Sequence, residues 1–130
     1  MTKRRLVLVT LFVLSAVFIS SSLGASVNVS GVWNMDILWN DTGVHSHGVC
    51  TLKQNDPKLS GTCEAETGGA IPIVAGEVNG QKTVWEISRI ENDGERHSAK
   101  FAGDLDASGT GLSGTVDFDG ALGTFTATKQ

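Results

Sequence analysis

From Gly31 the chain alternates: Trp33, Met35, Ile37 and Trp39 fall at every second position, interleaved with Val32, Asn34, Asp36, Leu38 and Asn40. Successive residues of a strand point to opposite faces, so a strand is the regular element that gathers the first set on one side. The same reading predicts further strands over Val44–Gln54, from Leu59 to Glu66, and over Ala70–Val78, Lys82–Ile90, His97–Leu105, Gly111–Phe118 and Leu122–Thr128. Short reversals join them. Asn55-Asp56-Pro57-Lys58 places its proline where no ladder hydrogen bond is lost. Asn79-Gly80 is expected as the central pair of a tight hairpin, whose favoured form needs positive φ at both residues.

The pattern is written twice. Leu59-Ser60-Gly61-Thr62 recurs as Leu112-Ser113-Gly114-Thr115, and Val32-Trp33 recurs as Val84-Trp85. Two four-strand units, each with an apolar face it cannot bury alone, become stable when closed against each other. The expected fold is therefore all-β: an eight-stranded antiparallel up-and-down barrel built as a 4+4 repeat. Gly61, Gly103, Gly114 and Gly123 interrupt strands, where glycine weakens the sheet unless curvature or close backbone approach requires it.

The second hairpin fixes a relation between the two cysteines of the chain. If Asn55–Lys58 is the loop, Gln54 faces Leu59, Leu52 faces Gly61, and Cys50 faces Cys63. Directly paired residues have Cα atoms about 4.5–5.5 Å apart, within the usual disulfide window of about 4.4–6.8 Å. A bridge closing a loop of this length contributes on the order of 3 kcal/mol in the chain-entropy account. A redox pair or a thiolate metal site is the competing reading. It lacks a C-x-x-C spacing and a nearby His on the same face.

The amino terminus reads differently. Lys3, Arg4 and Arg5 precede an apolar stretch from Leu6 to Ile19, then small residues through Gly24 and Ala25. This is the pattern of a secretory signal over residues 1–25, and the stretch is short for a membrane span, which needs about 20 residues. Ser26 stands where a lipid-accepting Cys would be required. Residues 26–130 remain as one small domain, secreted or periplasmic, where the cysteine pair would be oxidised. Loss of the three leader cations moves the formal charge from -4 to -7, because residues 1–25 contain no Asp or Glu. A nucleic-acid partner is not expected on that balance, nor a membrane one after cleavage. Asn28-Val29-Ser30 and Asn40-Asp41-Thr42 match the N-glycosylation acceptor pattern, which matters only in a eukaryotic source.

Candidate chemistry is sparse. His45 and His47 share one strand face and can supply two ligands to zinc or copper, but the local sequence offers no third. The Cys50 register puts both outside the barrel, unless Gly48 marks a bulge, while His97 falls inward or at the rim. Asp104 with Asp106, and Asp117 with Asp119, can present paired carboxylates to calcium or act as acid and base; solvated turn residues explain them as well. No nucleophile elbow and no phosphate-binding glycine loop is present. No catalytic residue, metal site or cofactor is assigned, and the sequence does not support an enzyme. Trp33, Trp85, Phe101, Phe118 and Phe125 all take inward parity, as does Trp39 if the first strand stays regular; Trp33, Trp85, Phe101 and Phe125 are the candidate ligand-binding residues if the barrel is not filled by its own side chains.

Gly31-Val32-Trp33, a G-x-W opening the first barrel strand, together with Lys129 on the last strand as a basic residue able to lie over the indole, resembles the calycin superfamily of lipocalins, fatty-acid-binding proteins and avidins. Gly31-Val32-Trp33-Asn34 and the Leu-Ser-Gly-Thr segments look like the first and third strands of avidin-type barrels. Avidin-like sites use a tyrosine, and this chain has none, so biotin binding is not carried over. The chain is closer to small, uncharacterised exported bacterial domains with repeated L-S-G-T and G-x-F strands. What the resemblance implies is a barrel binding a small, largely apolar molecule at one mouth. Two alternatives stand beside it: a non-catalytic interaction or structural module with a filled core, and a barrel-type cyclase or isomerase, which needs polar groups converging inside.

Overall fold

The computed structural model describes residues 28–130; the leader expected over residues 1–25 lies outside them. Eight strands follow one another: β1 Gly31–Trp39, β2 His45–Asn55, β3 Lys58–Ala65, β4 Ile71–Asn79, β5 Lys82–Ile90, β6 Arg96–Leu105, β7 Gly111–Phe118 and β8 Ala121–Lys129. Each pairs antiparallel with its neighbour, and β1 pairs with β8 from Trp33 opposite Lys129 to Trp39 opposite Gly123, which closes the barrel. Closure leaves no free sheet edge.

The two L-S-G-T segments occupy equivalent places. Gly61 in β3 and Gly114 in β7 both take inward parity, and at each a Cβ would collide with a carbonyl oxygen of the preceding strand, Thr51 for one and Ala102 for the other. Gly61 also has φ 128°, a conformation that residues with a Cβ rarely adopt. The repeat in the sequence is thus a repeat in backbone approach: the barrel bends tightly at the same point of each half.

The hairpins differ from expectation at one place. Asn79 pairs with Lys82, so the central residues are Gly80 and Gln81, and of these only Gly80 has positive φ, 63°. Glycine at the first central position suits the alternative primed turn, in which only that residue needs positive φ. In contrast, Asp119-Gly120 does take positive φ at both centres, 47° and 94°. The Pro57 hairpin has the expected register: Asn55 faces Lys58, Gln54 faces Leu59 and Cys50 faces Cys63. The two sulfurs are bonded, with Cα atoms 4.0 Å apart, closer than the separation typical of paired strands. The least regular seam is β3 with β4, where the register shifts between Lys58 and Thr62 and Pro72 faces Thr62.

Packing is densest toward one end. Val29 and Trp33 are fully buried, and Leu52, Leu59, Leu105 and Leu112 are at most 5% exposed. Residues 28–30 lie across this end. Val29 N–H donates to Gln54 Oε1, Gln54 N–H donates to Ser30 Oγ, and Trp33 Nε1–H donates to the Val29 carbonyl, each at 2.9 Å. Lys129 Nζ stands 5.8 Å from the Trp33 ring centroid, the arrangement expected of the G-x-W strand and its basic partner. Outward positions such as Asn34, Lys53, Glu77, Lys100 and Asp104 are polar or charged, the opposite of a lipid-facing barrel. No helix among the described residues is long and apolar enough to cross a membrane.

Candidate ligand cavity at the open mouth

The other end of the barrel is hollow. There the last residues of β1, β3, β5 and β7 meet the first residues of β2, β4, β6 and β8, and a cavity of about 230 Å³ opens between them. Met35, Ile37 and Trp39 from β1 form one wall because the alternation of that strand turns all three inward. Ile87, Ala99, Phe101 and Val116 form the opposite side, and the Cys50–Cys63 bridge contributes a third. Trp39 and Phe118 meet edge to face at the rim, with centroids 6.4 Å apart. Trp39 Nε1–H donates to Ser46 Oγ at 2.9 Å, which holds the half-buried indole upright. The titratable side chains among the lining residues are His47 and Glu64. Both sit one residue out of phase with inward neighbours, Gly48 and Cys63, so their polar groups do not converge on the interior.

The four aromatic residues singled out from sequence divide at this cavity. Phe101 lines it. Trp85 and Phe125 pack against Phe101 from the filled side: Trp85 stacks on Phe101 at 5.0 Å, and Phe125 meets the two edge to face at 5.7 and 5.5 Å. Trp33 lies in the packed end, beside Val29. The aromatic trio is therefore the partition between the two halves of the interior. Trp85 Nε1 is the one buried side-chain nitrogen or oxygen without a protein partner among the described residues. Such an orphan costs about 1–3 kcal/mol, a cost that burial of a whole indole in a stacked cluster offsets.

The sequence gives Trp39 and Phe118 inward parity, but the candidate ligand-binding set read from it included neither them nor the disulfide, all of which line the wall. The signal for Trp39 and Phe118 was available: both carry inward parity at the last position of their strands, where a barrel side chain meets the rim rather than the core.

Polar groups cluster outside the cavity. His97 bridges two loops, with Nε2 2.8 Å from Asp93 Oδ2 and Nδ1 2.6 Å from Asp119 Oδ2. These bonds, Asp93 first and Asp119 next, raise its pKa from 6.5 to about 9. Asp119 is lowered by the Ser98 N–H and then by His97, and Asp93 by the Glu95 N–H and then by His97. The carboxylate pairs considered from sequence have separate tasks: Asp104 binds Lys82 at 3.1 Å, Asp106 accepts from Ser108, Thr110 and Gly111, and Asp117 accepts from Gly120 N–H. They are turn and surface groups.

No protein-family model matches the chain, and no curated protein matches it. Among solved structures it is similar to a redesigned β-barrel, mFAP1, determined bound to DFHBI, at 12% identity and a TM-score of 0.56 over 78% of this chain and 94% of that one. At that identity the likeness shows a shared small-barrel fold and leaves the lipocalin and avidin resemblance at the level of architecture.

Proposed function

We propose that this chain is an exported, non-catalytic binding protein that takes one small, largely apolar molecule into the open mouth. The observation that carries the reading is the division of the interior: one end is filled by its own side chains and sealed, while the other keeps a hollow with an apolar wall. Apolar cavities of about 150 Å³ stay dry and bind benzene. By the same proportion, the 230 Å³ here matches a ligand of roughly ten non-hydrogen atoms, the size of a fused two-ring aromatic. Phe101 supplies the floor, Trp39 and Phe118 the rim; Trp85 and Phe125 brace Phe101 from behind, and Trp33 anchors the sealed end. The similar barrel mFAP1 was determined bound to DFHBI, which supports a small molecule as the class of ligand. The basic, apolar leader pattern supports export, as does the bonded cysteine pair.

Titration with 2-naphthol, followed by quenching or shift of tryptophan emission, tests this. The intact chain should show saturable binding, and Ala99→Phe, which fills the hollow from its wall, should weaken it at least tenfold while circular dichroism stays unchanged. Equal binding by both proteins would refute the assignment. A filled-core interaction module is the second reading, favoured by apolar side chains left exposed near the mouth: Val44, Ile90 and Leu122 are 56%, 62% and 55% exposed. Loss of all naphthol binding together with self-association abolished by Ile90→Asp would favour that alternative.

A further inference from the structure

The sequence offers His45 and His47 on one strand face without a third ligand; the fold supplies it. β1 lies beside β2 with Asp36 directly opposite His47 and Leu38 opposite His45, so the Asp36 carboxylate sits across from one imidazole and diagonal to the other. Its Oδ1 is 2.9 Å from His45 Nδ1 and 3.6 Å from His47 Nε2. On the far side of β2 the ladder continues past the end of β3, with Glu66 N–H donating to the His47 carbonyl at 3.3 Å. Glu66 Oε1 lies 3.1 Å from His47 Nδ1. A row of carboxylate, imidazole and carboxylate therefore crosses three strands on the outer wall, with a second imidazole two residues along.

We propose that Asp36, His45 and His47 form a site for one divalent transition-metal ion, zinc(II) or copper(II), with Glu66 as a positioning residue. Two neighbouring ligands of a tetrahedral ion with arms of about 2.0 Å stand about 3.3 Å apart. The two Asp36–His separations bracket that edge length; the shorter is a hydrogen bond from His45 Nδ1–H to the carboxylate, so the ion releases that one proton to water, and the exposed imidazoles turn toward each other to complete the face. Glu66 Oε1, 3.1 Å from His47 Nδ1, is placed to accept the Nδ1 proton when the ring turns, which leaves Nε2 for the ion on the side of Asp36. This is the carboxylate–imidazole–metal arrangement that orients ligands in metalloproteins. Water completes the coordination on the solvent side. Copper(II) binds such a nitrogen and oxygen set more tightly than zinc(II).

A second cluster, Asp93, Glu95 and His97, brings ligand atoms within 4.8 Å of one another. Both ring nitrogens of His97 are already committed as donors, to Asp93 and to Asp119. A metal there would have to displace a bound proton and break two charge-assisted bonds, so this cluster acts as an ion pair.

Untagged full chain, freed of metal with a chelator and titrated with zinc(II) against a chromophoric competitor, decides the matter. One equivalent should bind. His45→Ala, His47→Ala and Asp36→Asn should each weaken it by more than about 100-fold, and Glu66→Gln by about 10-fold, the range found for groups behind a metal ligand. Copper(II) should quench the emission of Trp39, whose indole is bonded to Ser46 between the two histidines, and His47→Ala should abolish that quenching. His97→Gln should leave both readouts unchanged. The inference fails if the His45, His47 and Asp36 variants, folded by circular dichroism, bind as the parent does, or if only His97→Gln loses the ion.

Discussion

The two ends of this barrel are built from the same strands and do opposite things. At the sealed end Trp33, Leu52, Leu59, Leu105 and Leu112 arrive from five of the strands and are buried. Trp33 fills the axis, and residues 28–30 cross the opening, where Val29 N–H donates to Gln54 Oε1, Ser30 N–H donates to Asn28 Oδ1, and the Asn28 and Val29 carbonyls accept from Lys129 Nζ and Trp33 Nε1–H. At the open end no segment among the described residues crosses. Ala99 stands where the sealed side has leucines, the β1 wall ends in a half-buried Trp39, and the interior stays hollow. Stability is concentrated at one end, and the other is free to be shaped for a ligand.

That contrast can be broken from either side. The largest effect is expected at the sealed end: Trp33→Ala should cost about 3–5 kcal/mol in urea unfolding, as loss of a fully buried aromatic does. Ile37→Ala, in the wall of the hollow, should cost less than about 2 kcal/mol, because the truncation enlarges a space that already exists. Equal costs would mean that the interior is one uniform core. Next comes the disulfide. Replacing Cys50 and Cys63 together by Ala should lower stability by about 3 kcal/mol, and it should also weaken 2-naphthol binding, since the bridge is part of the cavity wall. A stability loss with binding intact would move the ligand away from that wall.

The smallest effect concerns pH. His97 joins the Asp93 loop to the Asp119 turn, and its pKa is raised from 6.5 to about 9 in the folded chain. A group raised on folding contributes its full stabilisation below its unfolded value, so this contact should be intact below about pH 6.5 and lost as pH rises through about 9. The lowered carboxylates act in the other direction: their contribution is present above 3.8 and declines as pH falls below it. Asp119→Asn should flatten the alkaline part of the curve, measured as melting temperature between pH 6 and 10, and leave Trp33 unaffected.

The fold was legible because its signals were local and redundant. Alternation placed Trp33, Met35 and Ile37 on one face, the Pro57 hairpin aligned the cysteines, and the doubled L-S-G-T marked equivalent bends at Gly61 and Gly114. The hairpin centre at Gly80-Gln81 was missed because Asn-Gly is itself the commoner central pair, and the choice depends on where the flanking ladder ends. The cavity was only partly legible. Parity says that Trp85, Phe101 and Phe125 point inward, but not how far along the axis each one sits. That depends on strand tilt and on the shear of a closed sheet, which no single strand encodes. The same limit hid Asp36 from His45 and His47: their juxtaposition arises from pairing between β1 and β2, across a turn whose register the local pattern leaves open.

The three tryptophans report on the account separately. Trp33 is in the sealed end, Trp85 in the aromatic partition and Trp39 at the rim. Nitrogen-edited NMR of the labelled full chain resolves their indole N–H signals during titration with 2-naphthol. If the open mouth is the binding site, the Trp39 signal moves with saturation, Trp85 moves less, and Trp33 stays fixed. A ligand that binds with Trp39 unmoved, or that shifts Trp33 first, would contradict the division of the barrel into a sealed half and a receiving one.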